Sequence, residues 1–282
     1  MEKVIKSNQT RLIELLEFID LNISKEPSMN EMASIMCLSK SRFQRVFKAN
    51  MEEPVFAYIK RRKLEISAKR IAYSKTEDFK QILFDLNFSE QSNFSRDFKE
   101  YFKITPTEFK EENWKEYENS LIKNVDNMEL KAEIVQLNRT EILYVKEFGD
   151  YSEASKSAWD TINEIIDNND VLKESSEFFG IVHDDDTITE TVDCRYDACI
   201  SDFNDFPEKN AYSTKVIEGK YAKFLHKGSY ESLNQTYENI FGGWYINSSH
   251  QIDSTPIIEK YLNDPDEVSQ SELLTEIYIP IK

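Results

Sequence analysis

The string Phe-x-Arg-x-Phe-Lys occurs twice in the first hundred residues, as Phe43–Lys48 and Phe94–Lys99, 51 residues apart. A repeat constrains the fold more than any single element, because both copies must adopt the same supersecondary unit. The two aromatics of each copy are four apart and share one helix face, which leaves the arginine between them pointing elsewhere. Upstream of each copy lies a short apolar run and a turn: Met29 to Met36 then Cys37-Leu38-Ser39, and Phe79 to Leu86 then Asn87-Phe88-Ser89. Each unit reads helix, turn, helix, over residues 28–50 and 78–103. Ser39 and Ser89 stand where an N-cap would start each second helix. That places Lys40, Ser41, Arg42, Gln44 and Arg45 on early turns of one, and Gln91, Ser92, Asn93 and Arg96 on early turns of the other, with Glu90 beside them. Arg suits guanine and Gln or Asn suits adenine in the major groove, so these are the candidate DNA-contacting residues.

Between the units, the amphipathic pattern from Val55 to Tyr73 begins just after Pro54, a favoured helix start, and predicts a connecting helix over 54–74. About 20 residues at 1.5 Å each span about 30 Å, close to the 34 Å between successive major-groove faces. One chain is therefore long enough to fill two adjacent major grooves of double-stranded DNA. The chain's net charge of −17 argues against nucleic acid until it is divided by position. Residues 1–120 carry 21 basic and 20 acidic residues, and the remaining 14 and 32 lie beyond them. Lys40 to Lys75 alone is net +8. Local charge sets attraction to phosphate, since screening acts within about 10 Å.

These motifs resemble the AraC/XylS family of transcription regulators, whose DNA-binding part is a pair of helix-turn-helix units joined by a long helix. The similarity covers about residues 8–112 and is most specific over Asn87–Phe102 and Thr105-Pro106-Thr107-Glu108-Phe109, with Tyr58-Ile59 and Arg62-Lys63-Leu64 matching the start of the linker helix. Cys37, Glu52, Asn87 and Lys103 stand where many members have glycine. Asn tolerates a left-handed turn, and the other three carry more strain. The resemblance implies a sequence-specific regulator, an activator, with RNA polymerase as a partner.

After Asn124 the pattern changes to short alternating or β-rich runs, such as 132–137, 141–145, 221–225 and 276–281, separated by amphipathic helical stretches. This half is α+β. A shift of 79 residues aligns it on itself without a gap: Gly149-Asp-Tyr151 falls on Gly228-Ser-Tyr230, Asp185 on Asp264, and Tyr196-Asp-Ala198 on Thr275-Glu-Ile277. Two equivalent modules follow, each strand, Gly-x-Tyr turn, helix, then two strands, paired about a pseudo-twofold axis.

This half, about residues 127–282, resembles the GyrI-like effector-binding domain through Gly149-Asp-Tyr151, Phe179–Asp186, Arg195–Ile200, Gly228-Ser-Tyr230, Pro256–Pro265 and Glu272–Ile281. Such domains hold an aromatic, often cationic ligand in the cleft between modules, as in multidrug sensing. Asp185-Asp186 replaces the Asp-Pro of many members. An apolar pocket with an unpaired carboxylate favours a cation, and each aromatic face adds about 0.5 to 2 kcal/mol. Glu276, in an otherwise apolar strand and the repeat counterpart of Asp197, is the first choice for that carboxylate. Glu259 and Tyr261, two apart on a strand, point to one face. Trp244, Tyr245, Tyr144, Phe148, Tyr151 and Tyr230 are the candidate ring walls.

The expected organisation is a DNA-binding domain over 1–115, a linker over 116–126 and the effector-binding domain over 127–282. No catalytic residue, metal site or cofactor is expected. His183, His226 and His250 lack ligand spacing, Gly242-Gly243 before Trp-Tyr is a turn rather than a phosphate cradle, and Cys37, Cys194 and Cys199 lack CxxC spacing and read as reduced thiols. No apolar stretch is long enough to span a bilayer and no leader pattern is seen, so the expectation is a cytoplasmic bacterial protein without membrane contact. Two alternatives stay open: a DNA-binding adaptor that takes no effector, and hydrolysis of reactive electrophiles by Glu259 or Glu276, as in some stand-alone GyrI-like proteins.

Overall fold

The computed structural model describes residues 7–74, 78–113, 130–169, 173, 175–203, 206 and 211–282, which divide into a helical unit, up to Glu111 and including 211–213, and a β-rich unit formed by the rest. The expected linker 116–126 and Lys75 of the basic stretch lie outside the described residues.

The helical unit begins with α1 (Asn8–Leu21), capped by Ser7. α2 (Met29–Ile35) opens with a capping box in which Ser28 and Glu31 satisfy each other's end groups, and α3 (Lys40–Met51) starts from the Ser39 cap. α4 (Val55–Ala72) follows Pro54. α5 (Phe79–Asp85) is capped by Asp78, α6 (Gln91–Phe102) follows, and α7 runs over 106–113 from a Thr105–Glu108 capping box. The repeated aromatics behave as their spacing requires. Phe43, Phe47, Phe94 and Phe98 are buried, Phe47 packs edge-on against Tyr58 of α4, and Phe98 against Phe109 of α7. Fully burying each such ring contributes about 1.5–3 kcal/mol.

Both turns close the same way: Leu38 N–H bonds to Ala33 O and Phe88 N–H to Leu83 O. These turn positions repeat at 50 residues and the helices behind them at 51, so the second turn is one residue longer. The helix cap accordingly falls on Glu90, not on Ser89 as the sequence suggested.

A second correction concerns α4. Arg61, Arg62 and Lys63 read as surface charge but are largely buried. Glu65 accepts from Arg61 Nη1 at 3.0 Å, from Arg62 Nη1 at 2.5 Å and from Tyr101 Oη of α6 at 3.0 Å. Arg61 also reaches Glu53, Arg62 reaches Asp20 of α1, and Lys63 reaches Glu26. Much of the local +8 is thus spent inside the unit.

The β-rich unit contains β1 (Glu133–Phe148), α8 (Tyr151–Asn169), β2 (Phe178–Val182), β3 (Arg195–Ser201), β4 (Ser213–Lys227), α9 (Leu233–Asn239) with a π-helical turn over Ile240–Tyr245, β5 (Ile257–Tyr261) and β6 (Leu274–Pro280). The two β runs expected over 132–145 are one strand. The six strands close into a barrel in the order β1-β3-β2-β5-β6-β4. β2 shifted by 79 residues is β5, β3 so shifted is β6, and the pair Phe148↔Arg195 recurs as Lys227↔Leu274. The expected strand-helix-strand-strand modules and their pseudo-twofold are therefore the architecture. Gly149 and Gly228 take φ of +124° and +143°, where a side chain is strained, and their N–H groups bond Cys194 O and Leu273 O.

Candidate functional site: two recognition helices and an aromatic cage around Glu259

On α3, Lys40, Ser41, Arg42, Gln44 and Arg45 are exposed while Phe43 and Phe47 face inward. On α6, Gln91, Ser92 and Arg96 are exposed and Asn93 is half-buried, while Phe94 and Phe98 face inward. Both helices thus present the expected polar side chains outward. Arg96 differs from Arg45 in having an acidic neighbour, with Nε 3.7 Å from Asp97 Oδ1.

In the barrel, strand register decides which side chains can meet, because residues directly opposite share a face. Gly180 lies opposite Glu259, Glu259 opposite Ile277, and Tyr261 opposite Thr275. Glu259 is 5% exposed. Tyr237 Oη donates to its Oε1 at 2.7 Å and Tyr261 Oη to its Oε2 at 2.6 Å. Tyr261 Oη lies 2.8 Å from Tyr196 Oη, which accepts from Trp159 Nε1 at 3.0 Å. The Trp159 ring stands edge-on to Tyr261 at 5.5 Å, and the Tyr230 ring does so at 5.4 Å. Burial pushes the Glu259 carboxyl up from its ordinary value, against the two tyrosine hydrogen bonds that favour its ionised form. Burial, and after it the charge of Glu259, holds the Tyr196, Tyr237 and Tyr261 hydroxyls well above the usual phenol range. The carboxylate is held by hydroxyl donors, and no ammonium or guanidinium ion-pairs with it among the described residues.

Of the residues expected to form the effector site, the structure brings Glu259, Tyr261 and Tyr230 together. Tyr151, the repeat counterpart of Tyr230, has its hydroxyl tied to the backbone of Asp184 at 2.7 and 3.1 Å. Trp244 packs on Phe224 and His250, and Tyr245 is buried with its hydroxyl pushed up to about 12 by burial. Glu276, the first choice, is not the unpaired carboxylate: one residue out of phase with Ile277, it faces away from Glu259. Lys223 Nζ lies 3.0 Å from it and Tyr278 Oη donates to it at 2.6 Å. Burial raises its pKa, yet those two partners hold it below its ordinary value. Tyr144 and Phe148 also lie on the side away from Glu259, with Tyr144 under the Lys215 ammonium at 4.5 Å. There Asp197, the counterpart of Glu276, is buried among Lys146 at 2.6 Å, Lys215, and His183 at 2.7 Å. Burial alone would raise Asp197, but His183 and the two lysines hold it well below the usual range. Burial pushes His183 down to about 4.

Three cage residues were not singled out from sequence: Trp159, Tyr196 and Tyr237. Helical spacing carried a signal for two of them, since Tyr237 lies seven residues after Tyr230 and Trp159 eight after Tyr151.

The profile of the GyrI-like small molecule binding domain matches residues 130–282. The chain belongs to this family. A helix-turn-helix domain matches residues 32–112, so the GyrI-like half is joined to an AraC-type DNA-binding half. That combination makes the chain a DNA-binding transcription regulator. YosT, from the SPbeta prophage of Bacillus subtilis (strain 168), is 30% identical over 157 residues, which is 54% of this chain and 100% of that protein. Regulatory protein SoxS of Salmonella typhimurium is 29% identical over 104 residues, 37% of this chain and 96% of SoxS. Among solved structures, the EcmrR C-terminal domain is 20% identical with a TM-score of 0.46, covering 55% of this chain and 99% of that one. No helix among the described residues is long and apolar enough to cross a membrane.

Proposed function

We propose that the GyrI-like half senses an aromatic cation and that this controls a sequence-specific activator, which acts on RNA polymerase in the cytoplasm. The observation that carries the sensing role is the buried Glu259 carboxylate, held by the hydroxyls of Tyr237 and Tyr261, with the rings of Trp159 and Tyr230 packed edge-on against Tyr261. A carboxylate in an apolar site gains most from a cation whose remaining surface is itself apolar, and ring faces add to that attraction. Base contacts are assigned to Lys40, Ser41, Arg42, Gln44 and Arg45 on α3, and to Gln91, Ser92, Asn93 and Arg96 on α6. Their exposure, partial at Asn93, over a buried aromatic face supports this. The boundaries 1–115 and 127–282 are proposed for the two domains.

The test is calorimetric titration of the full chain with tetraphenylphosphonium and with ethidium, repeated on Glu259→Gln and Glu276→Gln. The expected result is binding that falls at least tenfold in Glu259→Gln and changes little in Glu276→Gln. No binding of either cation by the unaltered chain would favour an adaptor that takes no effector. Turnover of a reactive ester, lost in Glu259→Gln, would favour an enzyme.

A further inference from the structure

We propose that the two helix-turn-helix units divide the work on DNA: the first supplies nearly all the attraction to phosphate, and the second reads base edges with little electrostatic pull. This rests on the DNA-binding reading above and goes beyond it by ranking the two units.

α3 carries Lys40, Arg42, Arg45 and Lys48, all exposed, and no acidic residue between Lys40 and Met51. None of the four has an ion pair among the described residues. Its cap, Ser39, is neutral. On α6, Arg96 and Lys99 are balanced by Asp97 and Glu100. Asp97 lies 3.0 Å from Lys60 Nζ as well as 3.7 Å from Arg96 Nε, so one carboxylate screens two cations that would otherwise face phosphate. The cap of α6 is Glu90, whose carboxylate accepts from Ser92 Oγ at 3.3 Å and puts negative charge where the recognition helix begins. The basic side chains of the connecting helix do not redress this, because Arg61, Arg62 and Lys63 are committed to Glu53, Glu65, Asp20 and Glu26. Arg70 is committed to Asp85. Within a Debye length of about 8–10 Å, phosphate therefore meets four unscreened cations at α3 and a near-neutral surface at α6. Gln91, Ser92 and Asn93 still offer donors and acceptors to base edges, which need no net charge.

Each phosphate neutralised adds about 0.9 to the slope of log K against log salt concentration. The experiment is fluorescence anisotropy of the full chain on a mixed-sequence duplex of about 40 base pairs, over about 50 to 300 mM KCl. It compares Arg42→Gln/Arg45→Gln with Arg96→Gln/Lys99→Gln. On this duplex, which offers α3 no cognate bases and leaves its cations to the phosphates, the first pair should flatten the slope by about 2 and weaken binding about tenfold or more at low salt, and the second should change the slope by less than about 0.5. Circular dichroism checks folding, and Lys40→Gln/Lys48→Gln replaces the first pair if that variant unfolds. Equal slope changes for the two helices overturn the division of work. Absence of binding by the unaltered chain in low salt sinks the DNA-binding reading and this proposal with it.

Discussion

Gly180 of β2 lies directly opposite Glu259 of β5, and each is the other's counterpart in the 79-residue repeat. The pseudo-twofold axis passes between them, so a side chain given by both modules would meet its own copy there. Two carboxylates at that point would oppose each other's ionisation. One module supplies the carboxylate and the other supplies space. A Cβ on Gly180 would come within 2.3 Å of Tyr196 Oη and 2.7 Å of Tyr261 Oη.

Gly180→Ala should therefore push both hydroxyls off the path that leads to Glu259. Overpacking of this kind costs about 1–3 kcal/mol, which urea denaturation measures. Tetraphenylphosphonium affinity should fall with it. Unchanged affinity would show that the Trp159–Tyr196–Tyr261 chain does not position Glu259.

The sign of the pH dependence follows from the raised pKa of Glu259, which burial causes. The folded state keeps this proton to higher pH than the unfolded chain does, so the group's contribution to stability falls as pH rises from the unfolded value to the folded one. A bound cation favours the ionised form. Cation affinity should thus rise as pH climbs toward the folded pKa, with proton release on binding below it. Calorimetry in two buffers of different ionisation enthalpy counts those protons. His226 faces the same carboxylate, so Glu259→Gln is the control that must lose the released proton.

The repeats were legible because they are gapless or nearly so, and because Phe43, Phe47, Phe94 and Phe98 obey helical spacing. The cage was half legible. Strand alternation put Glu259 and Tyr261 on one face, but nothing in a single strand says which neighbours share that face, and Glu276 was chosen over Glu259 for want of a register. Once Ile277 is known to lie opposite Glu259, Glu276 must point away. Charge was misread for the same reason: Arg61, Arg62 and Lys63 are basic in sequence, while their acidic partners Asp20, Glu26 and Glu53 lie 8 to 42 residues away.

The four expected glycine positions do take positive φ: Cys37 +52°, Glu52 +58°, Asn87 +53° and Lys103 +67°. A side chain there works against the left-handed backbone, and glycine removes that penalty at some cost in unfolded-state entropy. Cys37→Gly, Glu52→Gly and Lys103→Gly should each stabilise the helical unit by about 0.5–1 kcal/mol, and Asn87→Gly by less, since Asn tolerates this region. Thermal melts of the full chain should show higher midpoints for the first three. A lower midpoint for all three would mean that contacts of these side chains outweigh the backbone penalty.

Glu65 gathers α4 and α6 through Arg61, Arg62 and Tyr101, and Arg62 reaches on to Asp20 of α1. Removing one partner of a buried ionic group strands the others without compensation, which costs about 3–5 kcal/mol. Glu65→Ala should accordingly lower the denaturant midpoint of the helical unit and abolish DNA binding at every salt concentration, because the recognition helices lose their frame. Arg62→Ala should do the same to a lesser degree, as Arg61 and Tyr101 still reach Glu65. Substituting an exposed residue such as Lys48 should instead leave the midpoint alone and change the salt slope. Arg62→Ala binding DNA with wild-type stability but a flatter slope would return Arg62 to the DNA surface and contradict its role in the core.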